Sequence, residues 1–134
     1  TELPAMDRRG IPSSGEPVLI GEILQKLVDK TAELDGKSVK ITGRLEDHDV
    51  QKCTTRVTDP QTAFSITVDT RLIEPFTSKS GSLVQVIGEL DCLVDNHPVV
   101  LKAVIIRCVD GLDMTMYKKA LESQREYFSN RDKT

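Results

Sequence analysis

The chain has 134 residues, of which 38% are hydrophobic and 29% are charged, and its formal net charge at pH 7 is -3. This length is typical of one domain that buries roughly two-thirds of the surface of its unfolded chain. An acidic chain lacks the broad basic face that supplies most non-specific affinity for nucleic acids, so only a local basic groove remains possible. The longest aliphatic runs have only three or four residues, and we therefore expect no membrane-spanning helix.

Residues 1–18 contain three prolines and show little hydrophobic periodicity, which is typical of a flexible N-terminal arm. Residues 19–134 are expected to form one folded domain. This domain opens with a helix over about residues 21–34, because apolar side chains recur there at helical intervals before a stop signal at Asp35–Gly36.

From Lys37 onward the hydrophobic period is two, which predicts a half-buried strand. The pattern V-x-I-x-G-x-L, which starts at Val39, returns 45 residues later at Val84 as V-x-V-x-G-x-L. A glycine inside a strand is unfavourable unless the backbone bends sharply, as the long strands of a small closed barrel do. Gly43 and Gly88 therefore predict a closed barrel rather than an open sheet.

Two more alternating runs, over residues 53–57 and 64–68, flank a turn sequence at Thr58–Gln61 and predict a hairpin. A connecting segment over residues 71–82 and a final strand over residues 99–108 follow. Five strands with helices at both ends predict an all-β OB-fold, that is, a five-stranded Greek-key barrel plus a C-terminal α-helix. An SH3-like or Sm-like barrel is the structural alternative, but such barrels usually lack a long helix after the last strand.

Asp113 is a suitable N-cap for a C-terminal helix over about residues 113–130. The apolar side chains of this helix cover an arc of roughly 160 degrees, which is wider than the roughly 100-degree stripe needed to cover a single core. We therefore predict that the helix contacts a partner protein; the alternative is a helix that only closes the barrel end. The arc contains Met114, Met116, Tyr117, Ala120, Leu121, Gln124, Tyr127 and Phe128.

The sequence contains no recognisable motif for catalysis or metal binding. It has no GxSxG or HExxH motif and no phosphate-binding loop. The three cysteines include no CxxC pair, and the set of Cys92, His97 and Cys108 does not have the spacing of a recognised metal site. We therefore expect that the chain is not an enzyme and binds no metal or cofactor.

OB barrels bind single-stranded nucleic acids through outward aromatic side chains of the second and third strands, beside a basic track. Phe64 is the only aromatic residue in the predicted strands, and it shares its parity with Ile66 and Val68, so we expect it to point into the core. Direct affinity for DNA should therefore be weak. The basic side chains that are the best candidates for phosphate contacts are Lys40, Arg44, Arg56 and Lys102.

Several runs of residues together resemble a known family. They are D-G-x-S at Asp35–Ser38, G-R-L at Gly43–Leu45, R-L-I-E-P-F at Arg71–Phe76, G-S-L-V-Q-V-I-G-E-L at Gly81–Leu90, R-C-V-D-G-L-D at Arg107–Asp113 and Y-K-K-A-L-E-S-Q-R-E-Y at Tyr117–Tyr127. The series covers about residues 35–131 and resembles the smallest OB-fold subunit of the telomeric CST complex, an RPA-like trimer that binds single-stranded DNA. Residues 1–34 do not resemble the vertebrate members of that family.

The resemblance implies a non-catalytic nuclear protein of the telomeric region that pairs with the N-terminal OB domain of the middle CST subunit, largely through its C-terminal helix. Tyr127 and Arg131, which lie four residues apart on one helix face, match interface positions of the family, and Lys40 in the first strand matches another. Such pairing would stabilise the middle subunit. Together with the large subunit, it would support binding of single-stranded G-rich DNA, telomere capping and replication.

Two alternatives are also compatible with the residues. The small RPA subunit has a G-R-L-E stretch like Gly43–Glu46 and a C-terminal helix for trimer packing, but the runs at Gly81–Leu90 and Arg107–Asp113 favour the CST family. A free-standing OB protein that binds a single-stranded nucleic acid or an anionic ligand directly would use outward aromatic side chains, which the predicted strands lack.

Overall fold

The computed structural model describes residues 15–29, 31–76, 79–92 and 99–133. No helix within these ranges is both long and apolar enough to cross a membrane. In chain order the elements are β1 (Glu16–Pro17), α1 (Ile20–Asp29), α2 (Thr31–Leu34), β2 (Ser38–Asp49), β3 (Thr54–Thr58), β4 (Ser65–Asp69), β5 (Leu83–Asp91), β6 (Val100–Cys108) and α3 (Met114–Lys133).

The barrel closes because the long strand β2 has different neighbours along its two halves. Residues 38–44 of β2 pair antiparallel with β5, whereas residues 44–49 pair antiparallel with β3. Strand β3 pairs antiparallel with β4, β4 runs parallel to β6, and β6 returns antiparallel to β5. The closed order β2, β3, β4, β6, β5 is that of an OB-fold, which confirms the predicted fold class.

The interior of the barrel is filled by apolar side chains from alternate strand positions, as the period of two requires. Ile20, Ile23 and Leu34 join this core, so α1 and α2 pack against the barrel. The strand residues in the core are Val39, Ile41, Leu45, Val57, Ile66, Val68, Val84, Val86, Leu90, Leu101 and Ala103.

Gly43 and Gly88 lie where a neighbouring backbone leaves no room for a side chain. A Cβ atom at Gly88 would lie 2.2 Å from the carbonyl oxygen of Lys102, and one at Gly43 would lie 2.7 Å from the carbonyl oxygen of Thr58. Both distances are far below van der Waals contact, so only glycine allows the strands to approach this closely. The closed barrel predicted from these two glycines is confirmed.

The end of the predicted N-terminal arm belongs to the folded domain, which corrects the boundary at residue 18. Glu16 and Pro17 form β1, which pairs parallel with Val39 and Lys40 of β2. Val18 is only 8% exposed, and its N–H donates to the Lys40 carbonyl at 3.0 Å. A strand of two residues is too short to show a period of two, so the sequence pattern could not reveal it. Residues 1–14 of the predicted arm lie outside the described residues.

Phe64 does not point into the core, and that prediction is wrong. Its side chain is 49% exposed. Strand β4 begins only at Ser65, so the alternation that directs Ile66 inward does not extend to Phe64. The ring lies beside α1 instead, where a Cβ atom at Gly21 would be 3.0 Å from Cδ2 of Phe64.

The helix boundaries differ from the predicted ones by a few residues. The first predicted helix, over residues 21–34, is observed as α1, which ends at Asp29, and α2, which covers Thr31–Leu34. The C-terminal helix begins at Met114 and extends to Lys133, beyond the predicted end at about residue 130.

Candidate protein-interaction site

Helix α3 starts at a defined cap directly after the barrel. The Asp113 carboxylate oxygen Oδ1 accepts the N–H groups of Thr115 and Met116 at 2.9 and 3.2 Å, as an N-cap does. Asp110, in the preceding turn, accepts the N–H of Leu83 at 2.7 Å, and this bond lowers the pKa of Asp110. These bonds join the start of α3 to the beginning of β5.

One face of α3 packs against the rest of the chain. Met114 and Leu121 are buried, with 8% and 7% of their surface exposed. Lys118 and Arg125 lie on the same face, because the four residues are spaced at intervals of four, three and four. Both cations form ion pairs with carboxylates of the barrel domain. We call these four residues the inner stripe of α3.

Lys118 binds a buried carboxylate in the turn between β3 and β4. Its Nζ atom lies 2.9 Å from Oδ2 of Asp59, whose side chain is only 4% exposed. The N–H of Gln61 donates to Asp59 Oδ1 at 2.8 Å, and the Gln61 side chain donates to the Thr115 hydroxyl at 2.9 Å. Burial raises the pKa of Asp59, but the bonds from Lys118 and Gln61 outweigh burial and the pKa is lowered. Asp59 is therefore ionised at neutral pH.

Arg125 holds α3 against α1 and β1. Its Nη1 atom donates to Glu22 Oε2 at 2.6 Å, and its Nη2 atom donates to Glu22 Oε1 at 3.0 Å and to the Pro17 carbonyl at 2.9 Å. Glu22 Oε1 also accepts the N–H of Leu19 at 2.9 Å, which caps the start of α1. The hydrogen bonds from Arg125 hold the pKa of Glu22 below its usual range, and Glu22 in turn raises the pKa of Arg125.

The opposite face of α3 is exposed. Met116 and Tyr127 are 61% and 60% exposed, and Ala120 and Gln124 are exposed as well. We call these four residues the outer stripe of α3. Tyr117 lies at its border: the residue is half-buried, and its hydroxyl oxygen is buried without a hydrogen-bond partner among the described residues. The wide arc predicted from the sequence is thus divided between the two faces of the helix.

Leu121, Phe128 and Arg131 of the predicted interface set differ from the outer stripe in what the structure shows of them. Leu121 is covered by the chain itself, so its assignment to a partner interface is corrected. The apolar arc predicted from the sequence includes residues of the inner and the outer face of α3. The sequence does not tell these two faces apart, because they are defined by how the helix docks on the barrel. Phe128 and Arg131 lie within α3, but their side chains are outside the described part of the chain.

Lys40 lies in β2 beside the short strand β1. It faces away from the core, because the neighbouring Val39 and Ile41 are buried inside the barrel. Pro17, whose carbonyl accepts a hydrogen bond from Arg125, is the register partner of Lys40 across β1 and β2. Strand β1 therefore lies between Lys40 and Arg125: the Val18 N–H bonds toward β2, and the Pro17 carbonyl of the same peptide points the other way, to Arg125.

The other predicted phosphate contacts are engaged within the chain. The Nη1 atom of Arg44 donates to a backbone carbonyl in the loop before β5 at 2.8 Å. Arg56 forms an ion pair with Asp47, and the Lys102 Nζ atom lies 3.1 Å from a carboxylate oxygen of Asp91. These pairs offset much of the positive charge that a single strand would need.

A cluster around His48 serves the fold. Its Nε2 atom lies 2.7 Å from Glu74 Oε2, which also accepts the hydroxyl of Thr70 at 2.6 Å. The bonds from Thr70 and His48 lower the pKa of Glu74. The cluster joins the end of β2 to the segment after β4. No group of His, Cys, Asp and Glu residues in the described ranges could hold a metal ion.

A family model described as telomere-capping, CST complex subunit matches residues 11–131. This chain belongs to that family. The CST complex subunit TEN1 of Homo sapiens is 33% identical over 99 residues, which cover 72% of this chain and 80% of the human protein. The CST complex subunit TEN1 of Arabidopsis thaliana is 31% identical over 98 residues, which cover 73% of this chain and 76% of that protein.

The fold of this CST family member matches that of a chain in the crystal structure of the S. pombe Stn1–Ten1 complex. The TM-score is 0.63 with 14% sequence identity, and the match covers 87% of this chain and 96% of the other. The family resemblance read from the sequence motifs is therefore confirmed, and the CST assignment replaces the RPA alternative. The family match also begins at residue 11, so it includes residues 11–34, which the motif comparison had left outside.

The sequence patterns did not identify the ionic contacts that dock α3 of this family member. A signal was available, because Lys118 and Arg125 lie seven residues apart and interrupt the apolar face that contains Met114 and Leu121. Two cations beside the buried Met114 and Leu121 are positioned to pair with carboxylates of the barrel domain. The pattern does not say which carboxylates they are, because these lie far away in the sequence.

Proposed function

We propose that this chain is the non-catalytic OB-fold subunit of a CST complex, and that it binds the N-terminal OB domain of the middle subunit and stabilises that subunit. The contact uses the outer stripe of α3 and Lys40, together with Tyr117, Phe128 and Arg131. Membership of the CST family supports the assembly. The S. pombe protein of the same fold was solved as a complex of Stn1 with Ten1, which supports the choice of partner.

The exposure of the outer stripe carries this proposal. Helix α3 is already docked through its inner stripe, whereas Met116 on the other face is 61% exposed. Met and Tyr are enriched in the centres of protein interfaces, where one large side chain can dominate the binding free energy. The segment from residue 116 to residue 127 extends over roughly 16 Å of helix, which suits packing against a helix of a partner.

Binding of single-stranded G-rich DNA is proposed as a task of the assembled complex, mainly through the middle and large subunits. In this chain Arg56 and Lys102 are already paired with carboxylates, which supports only weak direct contact. The assembly would act in the nucleus, at the telomeric region of the chromosome, in capping and replication.

Two substitutions on the outer stripe test the proposal. Ala120→Glu places a charge in the middle of the stripe, and Tyr127→Ala removes its largest side chain. Each should weaken binding of the purified middle subunit by about 30-fold or more, because truncating or blocking a central interface residue costs about 2 kcal/mol. The circular dichroism spectrum of the isolated chain should stay unchanged.

Ala32→Glu is the matched control, because Ala32 is an exposed alanine on helix α2, away from the outer stripe. It should leave the affinity for the middle subunit unchanged. Full affinity of folded Ala120→Glu and Tyr127→Ala variants would show that the outer stripe is not the interface.

A further inference from the structure

Arg125 connects three parts of the chain at once. Its guanidinium joins α3 to Glu22 of α1 and to the carbonyl of Pro17 in β1. Pro17 is paired in register with Lys40 of β2. One side chain therefore links the helix that carries the outer stripe to both α1 and β1.

We infer that Arg125 and Glu22 are positioning residues of the partner-binding surface, which hold the outer stripe of α3 in the orientation that the middle subunit recognises. This inference rests on the proposed function. It gives the segment from β1 to the start of α1 a task in partner binding, which the sequence motifs did not suggest.

Arg125 acts on the partner through the helix rather than by direct contact. Arg125 and Tyr127 are two residues apart, so their side chains point about 200 degrees apart around the helix axis. Arg125 bonds inward to Glu22 and Pro17, whereas Tyr127 is 60% exposed on the other side. A partner on the outer stripe lies across the helix from Arg125.

The contact made by Arg125 lies in a segment of α3 that has no buried residue. Met114 and Leu121 are buried against the barrel domain in the first half of the helix, but residues 122–127 are all exposed. In that part of the helix Arg125 supplies three hydrogen bonds to α1 and β1. Holding a helix in its bound position before the partner arrives reduces the entropic cost of binding, so loss of these bonds should lower the affinity.

A double-mutant cycle on the full chain tests the inference. Arg125→Met keeps the aliphatic stem and removes all three hydrogen bonds, and Glu22→Gln keeps an oxygen to accept the N–H of Leu19 and removes the charge. Affinity for the purified middle subunit is measured at a temperature at which every variant is folded. We expect about tenfold weaker binding for Arg125→Met and about threefold for Glu22→Gln, with the double variant no weaker than Arg125→Met alone.

A second readout separates positioning from general destabilisation. Amide hydrogen exchange of residues 122–127 in the unbound chain should become faster in both variants, while exchange in the barrel strands stays slow. Glu33→Gln and Arg71→Met repeat the same chemical changes at exposed positions away from α3, and they should alter neither the affinity nor the exchange.

The possible results lead to different conclusions. Unchanged affinity in the Glu22 and Arg125 variants, together with weak binding by Tyr127→Ala, would overturn the positioning role and leave the proposed function intact. Additive losses in the double variant would also overturn it, because Glu22 would then act independently of Arg125. Full affinity of Tyr127→Ala would refute the proposed function, and the positioning role would fall with it.

Discussion

Leu121 and Met116 are both apolar residues of α3, but they lie on different faces. Alanine at position 121 should therefore lower the stability of the chain, whereas alanine at position 116 should lower its affinity for the partner. Leu121 is 7% exposed. Truncating a buried Leu to Ala costs about 2–5 kcal/mol, and we expect about 2–3 kcal/mol because Leu121 lies between the helix and the barrel, where neighbours can partly fill the space. For a domain of this size, that loss lowers the unfolding midpoint by about 8–12 °C.

Met116 is 61% exposed, so Met116→Ala removes few contacts within the chain. Its cost to folding should be below about 0.5 kcal/mol, as for most surface substitutions. If Met116 packs into the partner, its truncation should cost about 1 kcal/mol or more of binding free energy, which is at least about a fivefold loss of affinity for the middle subunit.

Thermal and urea unfolding of the isolated chain, followed by circular dichroism, measures the first effect, and biolayer interferometry with the middle subunit measures the second. Leu121→Met is the matched control, because it conserves most of the buried volume and should cost less than about 1.5 kcal/mol. The assignment of the two faces would be refuted if Met116→Ala destabilised the chain as much as Leu121→Ala does, or if Leu121→Ala left the midpoint unchanged.

Three further predictions concern the barrel, the docking of α3 and the binding of DNA. Gly88→Ala should destabilise the chain by about 3 kcal/mol in urea unfolding, because its Cβ would lie 2.2 Å from a neighbouring carbonyl oxygen; parental stability would contradict the close approach. Glu22 and Asp59 have lowered pKa values in the folded chain, so their stabilisation is present at neutral pH and is lost as the pH falls from about 5 through the folded values. After correction for the intrinsic pH dependence of amide exchange, the protection factors of α3 should therefore fall relative to those of the barrel at low pH, and a constant ratio of the two would contradict this. Arg56 pairs with both Asp47 and Glu46, and Asp47→Asn removes one of these two carboxylates. It should raise the affinity for a single-stranded oligonucleotide about threefold at low salt in fluorescence anisotropy, whereas an unchanged affinity would show that the Asp47 pair does not limit binding.

The barrel was predictable because the direction of each side chain in a strand depends only on its position along that strand. Side chains alternate across a strand whatever the rest of the chain does, so Val39, Ile41 and their counterparts in β5 show their inward faces in the sequence. Gly43 and Gly88 added the tertiary information, since a glycine inside such a pattern indicates that another backbone lies close by.

The same rule gave no guidance where a strand ends or is very short. Phe64 continues the alternation of Ile66 and Val68 in the sequence, but it lies one residue before β4 begins and is exposed. Glu16 and Pro17 form a parallel strand that is too short to show alternation. Pairing to β2 decides both the existence and the burial of this segment, and such pairing depends on residues distant in the chain.

Helix α3 shows most clearly which features follow from the sequence alone and which depend on the tertiary structure. The sequence by itself determined its start at Asp113, the breadth of its apolar arc and the excess of that arc over one core-facing stripe. Only the tertiary structure decided which half of the arc docks, through the pairs Arg125 with Glu22 and Lys118 with Asp59. Arg125 and Glu22 lie 103 residues apart. A helical period fixes which side chains share a face, but the folded barrel decides which face meets its carboxylates and which is left for a partner.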